Sequence, residues 1–74
     1  MNKSPQSTNE ILVLAKENHQ KNNFELAKSL YEELLRKDDK NLEGLFYFGT
    51  LYLQLREYEK SKELLNKAIK INPH

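Results

Sequence analysis

Seventy-four residues make one small domain at most, and 12 Lys and Arg against 11 Asp and Glu, evenly mixed, leave a net charge of +1. That balance excludes a basic face for nucleic acid or an acidic tail, and the lack of cysteine excludes a disulfide framework or a thiolate metal site. No secretory or transmembrane run is present, so a cytoplasmic protein with no membrane partner is expected.

Residues 1–7 are polar, include Pro5, and are expected to be a disordered tail. Ser7 followed by Glu10 has the spacing of a capping box that opens a first helix. Ile11, Leu14, Ala15 and, less well, Asn18 then trace one helical face. The pattern fades at Lys21-Asn22-Asn23, where Asn can take the left-handed conformation that ends a helix and Asn23 can cap the next. A second helix is predicted from Phe24 to Lys37, with Phe24, Ala27, Leu30, Tyr31, Leu34 and Leu35 inward. Glu32/Arg36 and Glu33/Lys37 are i,i+4 pairs on its wet side.

Asp38 to Asn41 is a polar break, with Asn41 as the cap of a third helix, Leu42–Leu55. Its sequence, LEGLFYFGTLYLQL, is apolar nearly all round, so it must be covered on several sides. At roughly 21 Å it is too short to cross a bilayer. After a turn at Arg56-Glu57, a fourth helix is predicted from Tyr58 to Ile71, with Tyr58, Ser61, Leu64, Leu65, Ala68 and Ile69 inward and Pro73 closing it. No strand signal is present. The expected fold is all-α, four antiparallel helices of about 14 residues joined by short turns.

Apolar and small positions recur 34 residues apart: Phe24 and Tyr58, Ala27 and Ser61, Leu30 and Leu64, Tyr31 and Leu65, Ala15 and Gly49. Size and polarity repeat more than identity does, as expected where a packing geometry is being specified. A helix–turn–helix unit of this period resembles the tetratricopeptide repeat family. Leu45, Phe48-Gly49, Tyr52, Tyr58, Ser61, Leu65, Ala68 and Pro73 fall at that family's places. Ile11, Leu14-Ala15, Phe24, Ala27 and Tyr31 do so earlier, with departures at Asn18, Leu34 and Asp39. The resemblance implies an α-solenoid of two units, 8–41 and 42–74. Gly49 inside a helix costs about 1 kcal/mol relative to Ala, so it should admit a close neighbouring helix.

No Gly-rich phosphate loop, nucleophile elbow or paired carboxylate is present, and no enzyme activity, cofactor or metal is expected. His19 and His74 read as solvated, Asp38-Asp39 as a polar turn, and the tyrosines as core. The resemblance implies a concave groove for a peptide or protein partner, lined by Asn9, Leu12, Lys16, His19 and Gln20 of the first unit and Glu43, Phe46, Thr50, Leu53 and Gln54 of the second. Alternatively, Leu12, Phe46 and Leu53 merely cover neighbouring side chains. Leu12, Lys16 and Tyr47 occupy the places of the family's carboxylate clamp for chaperone tails, so that clamp is not expected. Leu64, Leu65, Ala68, Ile69 and Ile71 would form an uncovered association edge. The expected function is therefore a protein–protein interaction module, the N-terminal part of a longer array. The alternative is a non-catalytic or oligomerisation segment of a larger enzyme such as a glycosyl- or sulfotransferase, and self-association through the last helix is a third reading.

Overall fold

The computed structural model describes residues 7–73; His74 and residues 1–6 of the expected tail lie outside the described residues. It contains α1 (Thr8–Gln20), α2 (Phe24–Lys37), α3 (Leu42–Gln54) and α4 (Tyr58–Ile71), with no strand among the described residues. Ser7, grouped above with the tail, is instead part of the first helix cap. The Glu10 N–H donates to Ser7 Oγ (3.1 Å) and the Ser7 N–H donates to Glu10 Oε1 (2.9 Å), so two otherwise orphaned amides are satisfied reciprocally. Asn41 caps α3 by accepting the Gly44 N–H at 2.8 Å. Asn23 does not cap α2. Its side-chain Nδ2 donates to Asn18 Oδ1 (3.1 Å) instead, while Asn18 Nδ2 donates to the Leu14 carbonyl (2.8 Å). The residue that departs from the family pattern thus braces the end of α1.

The turns repeat more faithfully than the side chains do. α1 and α3 each end on a left-handed residue, Asn22 (φ 65°) and Arg56 (φ 63°), which lie 34 positions apart. Past each, two amides turn back: Asn23 N–H to the Asn18 carbonyl and Asn22 N–H to His19, then Glu57 N–H to Tyr52 and Arg56 N–H to Leu53, all between 2.8 and 3.1 Å. This Schellman closure satisfies the last carbonyls of each helix. After α2 and α4 the chain leaves through Asp38 (φ −148°, ψ 85°) and Asn72 (φ −140°, ψ 91°), again 34 apart.

α1 packs along α2 and α3 along α4, and the two hairpins meet through α2 against α3 and, more lightly, α1 against α3. Ile11, Ala15, Ala27, Tyr31, Leu34, Leu45 and Leu51 are fully buried. Through the middle runs an aromatic column, with Tyr31 stacked on Phe48 (centroids 5.4 Å) and Phe48 on Tyr52 (4.6 Å). Offset stacking of this kind adds to the area the rings bury.

Both glycines sit where helices crowd. A Cβ on Gly49 would lie 2.8 Å from Leu65 Cγ and Cδ2 of α4, and one on Gly44 would lie 2.7 Å from Leu34 Cδ2 of α2. Gly49 therefore has the packing role expected of it. Gly44 shares that role, and nothing in the period flags it, because its counterpart 34 residues earlier is Glu10. Two inward assignments are corrected. Tyr58 (58% exposed) and Ile69 (57%) face outward, because Ser61 and Ala68 turn the narrow side of α4 toward α3.

Filling the Gly49 gap with Gly49→Leu should destabilise the fold by about 1–3 kcal/mol, read as a thermal midpoint lowered by several degrees. Arg56→Gly should raise the midpoint, because a left-handed L-residue costs roughly 1–2 kcal/mol and glycine's entropic cost of about 0.5–1 kcal/mol offsets only part of that gain. An unchanged or lower midpoint for Arg56→Gly would contradict the strained turn.

Candidate functional site

The last turns of α1 and the middle of α3 enclose a recess of about 290 Å³. Lys16, His19, Gln20 and Asn22 line it from one side, and Tyr47, Thr50 and Gln54 from the other. α1 contributes at three- and four-residue spacing and α3 likewise, so each helix turns one stripe toward the opening. Lys16 Nζ stands 4.5 Å above the Tyr47 ring, a cation–π contact that holds the ammonium at the rim. The Thr50 hydroxyl donates to the Phe46 carbonyl of its own helix (2.9 Å), leaving its lone pairs outward.

His19 is not the solvated histidine expected from sequence. Its Nδ1 is 2.9 Å from the Tyr31 hydroxyl, and its Nε2 is hydrogen-bonded to Gln54 Oε1. The amide oxygen can only accept, so Nε2 carries the proton and Nδ1 accepts from the phenol. The ring also meets Phe24 (6.2 Å) and Tyr31 (5.9 Å) edge-on. Burial, and then the neighbouring Tyr47, push the Tyr31 hydroxyl up to about 12, which keeps it a donor. A chain of side chains from α2 through α1 to α3 thus links the hairpins beneath the recess.

Of the ten residues read as groove, Lys16, His19, Gln20, Thr50 and Gln54 converge here. Leu12 is corrected: at 5% exposure it belongs to the core, because α3 lies over it. Glu43 and Phe46 line a separate recess of about 580 Å³ with Leu42, Tyr47, Leu65, Ala68, Ile69 and Asn72. Asn9 lines a third with Glu10, Val13, Leu14 and Glu17, and Leu53 is exposed. Sequence reasoning missed Asn22, seen only as a helix end, and Tyr47, taken for core. The association edge is also corrected. Ala68 is buried and Leu64 packs against the core, while Ile71 lies two residues from Ile69 and so on the opposite side of α4. Leu65, Ala68 and Ile69 instead share the larger recess with Phe46.

Among the described residues no three His, Cys, Asp or Glu side chains are grouped as a metal site, and no helix is long and apolar enough to cross a membrane.

Removing the acceptor with His19→Leu leaves the buried Tyr31 hydroxyl unpaired and should cost about 1–3 kcal/mol in urea unfolding. The double variant His19→Leu/Tyr31→Phe should cost clearly less than the sum of the singles. Because the Tyr31 hydroxyl titrates higher in the folded state than when unfolded, its contribution is complete below about pH 10 and is lost as pH rises toward 12. The alkaline fall in stability should accordingly be shallower for Tyr31→Phe; identical pH profiles would contradict it.

Comparison with known proteins bears on the same region. A family model described as tetratricopeptide repeat matches residues 19–74. No curated protein and no solved structure matches the chain. The matched stretch covers more than half of the residues and runs from the end of α1 through α4, taking in both left-handed turns. The chain belongs to the tetratricopeptide repeat family, whose units serve generally as non-catalytic modules that bind proteins.

Proposed function

We propose that the chain is a protein–protein interaction module of two units, 8–41 and 42–74, which holds a short segment of its partner across α1 and α3. The observation that carries this reading is the convergence of Lys16, His19 and Gln20 with Thr50 and Gln54 on one recess. The His19–Gln54 bond joins the two sides, so recognition is rigid and needs no closure.

The lining suggests what is held. Among the described residues, Lys16 is the only formally charged one lining the recess, and Gln20, Asn22 and Gln54 supply amides. A partner side chain with a carboxylate or an amide matches this set, since each lone pair meets a donor. Such hydrogen bonds to a charged group contribute roughly 1.5–3 kcal/mol.

A peptide array of short segments varied in acidic, amide, basic and apolar residues tests the reading. Segments carrying Asp, Glu, Asn or Gln should be retained, and the best of them should bind Lys16→Ala/Gln20→Ala at least about tenfold more weakly, or 1.4 kcal/mol. Leu26→Ala, an exposed position away from the recess, should leave binding unchanged. Equal binding by wild type and the double variant would remove the recess as the site.

A further inference from the structure

The hydrogen-bonded side chains beneath the polar recess decide which end of the Gln54 amide faces the opening. Tyr31 is fully buried, and among the described residues its hydroxyl has one hydrogen-bond partner, His19 Nδ1. A phenol can donate or accept. If Nδ1 carried the ring proton, the hydroxyl would accept it and leave its own hydrogen unpaired at full burial, the less favourable arrangement. The hydroxyl therefore donates, Nδ1 accepts, and the proton of the neutral ring sits on Nε2. Nε2 meets Gln54, which must turn its oxygen inward to accept. The Gln54 NH2 group is left on the outer side, at an exposed residue that lines the recess. A phenol buried on α2 thus sets the polarity of an amide on α3.

We propose that Tyr31 and His19 are positioning residues that make the recess select a side-chain carboxylate over the matching amide. This rests on the reading of the recess as the binding site, and names which of the two groups it takes. Lys16 and the fixed Gln54 NH2 group offer donors only. A carboxylate only accepts, so each of its oxygens can meet one of them, and its bond to the ammonium is charge-assisted and roughly twice as strong as a neutral one. A ligand amide lacks the charge. When its oxygen turns toward Lys16, its NH2 end meets the Gln54 NH2 group donor to donor, a repulsive element of the kind that discriminates between similar ligands.

The rest of the lining agrees with this choice. No carboxylate borders the recess to repel another. The Gln20 and Asn22 side-chain amides have no hydrogen bond to other described residues, so they can turn their donors toward the same group.

The test uses the isotopically labelled 74-residue chain and two pentapeptides blocked at both ends, alanine throughout except for a central glutamate in one and glutamine in the other. At a pH where the ring is neutral, wild-type His19 should show a single tautomer, its nitrogen signals those of a protonated Nε2 and a bare Nδ1. The glutamate peptide should shift Lys16, Thr50 and the Gln54 side-chain NH2, and bind at least about tenfold more tightly than the glutamine peptide. In Tyr31→Phe nothing fixes the ring proton, so both tautomers should appear. With the Gln54 amide correctly turned in about half of the molecules, glutamate affinity should fall about twofold, while the glutamine peptide, which can use either orientation, keeps its own. Wild-type His19 protonated on Nδ1 overturns the proposal. So does a Tyr31→Phe variant that keeps one tautomer and the full preference, or that weakens both peptides equally. Equal wild-type binding of the two peptides, with shifts at the recess, overturns the selection of carboxylate and leaves the binding site standing; no shift there with either peptide removes both.

Discussion

A phenol with no solvent exposure has to find its hydrogen bond inside the protein, and how Tyr31 does so sets the relation between the two hairpins. Its ring stacks on Phe48 of α3 while its hydroxyl meets His19 of α1. His19 in turn has one proton to place, and places it on Gln54 of α3. An unpaired polar group at that depth costs about 1–3 kcal/mol, more than a made bond contributes net, so moving the rings or the amide apart is penalised. This short chain ties α1, α2 and α3 together beneath the recess. It is also why two hairpins with few other contacts between α1 and α3 share a defined floor.

The helices and their ends were legible in the sequence because their causes are local. Ser7 with Glu10, Asn41 before Leu42, and the 34-residue recurrence of size and polarity each act within one turn or one period. The groove was legible only in part, for a reason visible at three residues. Leu12 and Phe46 occupy the same place in their units, yet one is buried and the other open, because α3 covers the first and no described helix covers the second. His19 has its decisive partners 12 and 35 residues away, and no local pattern encodes a contact that distant. Tyr58 and Ile69 satisfy an apolar period on α4 while facing solvent, since periodicity marks a stripe and not the neighbour that covers it.

Tyr47 is the wall common to both recesses. One face of its ring lies beneath the Lys16 ammonium on the polar side, and Phe46 meets it at a T-shaped 5.4 Å on the apolar side. An aromatic side chain is suited to that position, because its face attracts a cation while its edge packs among hydrocarbons. The two openings therefore differ in chemistry although only one residue's thickness separates them. Lys16 and the amides select by hydrogen bonding, whereas Phe46, Leu65 and Ile69 select by shape and apolar area.

The division of contacts, dense within each hairpin and sparse between α1 and α3, has a kinetic consequence. Contacts close in sequence form early, because little loop entropy is lost in making them. Each hairpin alone leaves one apolar side wet, so neither gains much until they meet. Docking of the two hairpins, at which the stacked rings of Tyr31 and Phe48 desolvate together, should then be the rate-limiting event. Unfolding should retrace that path, with the hairpins parting before either loses its turns.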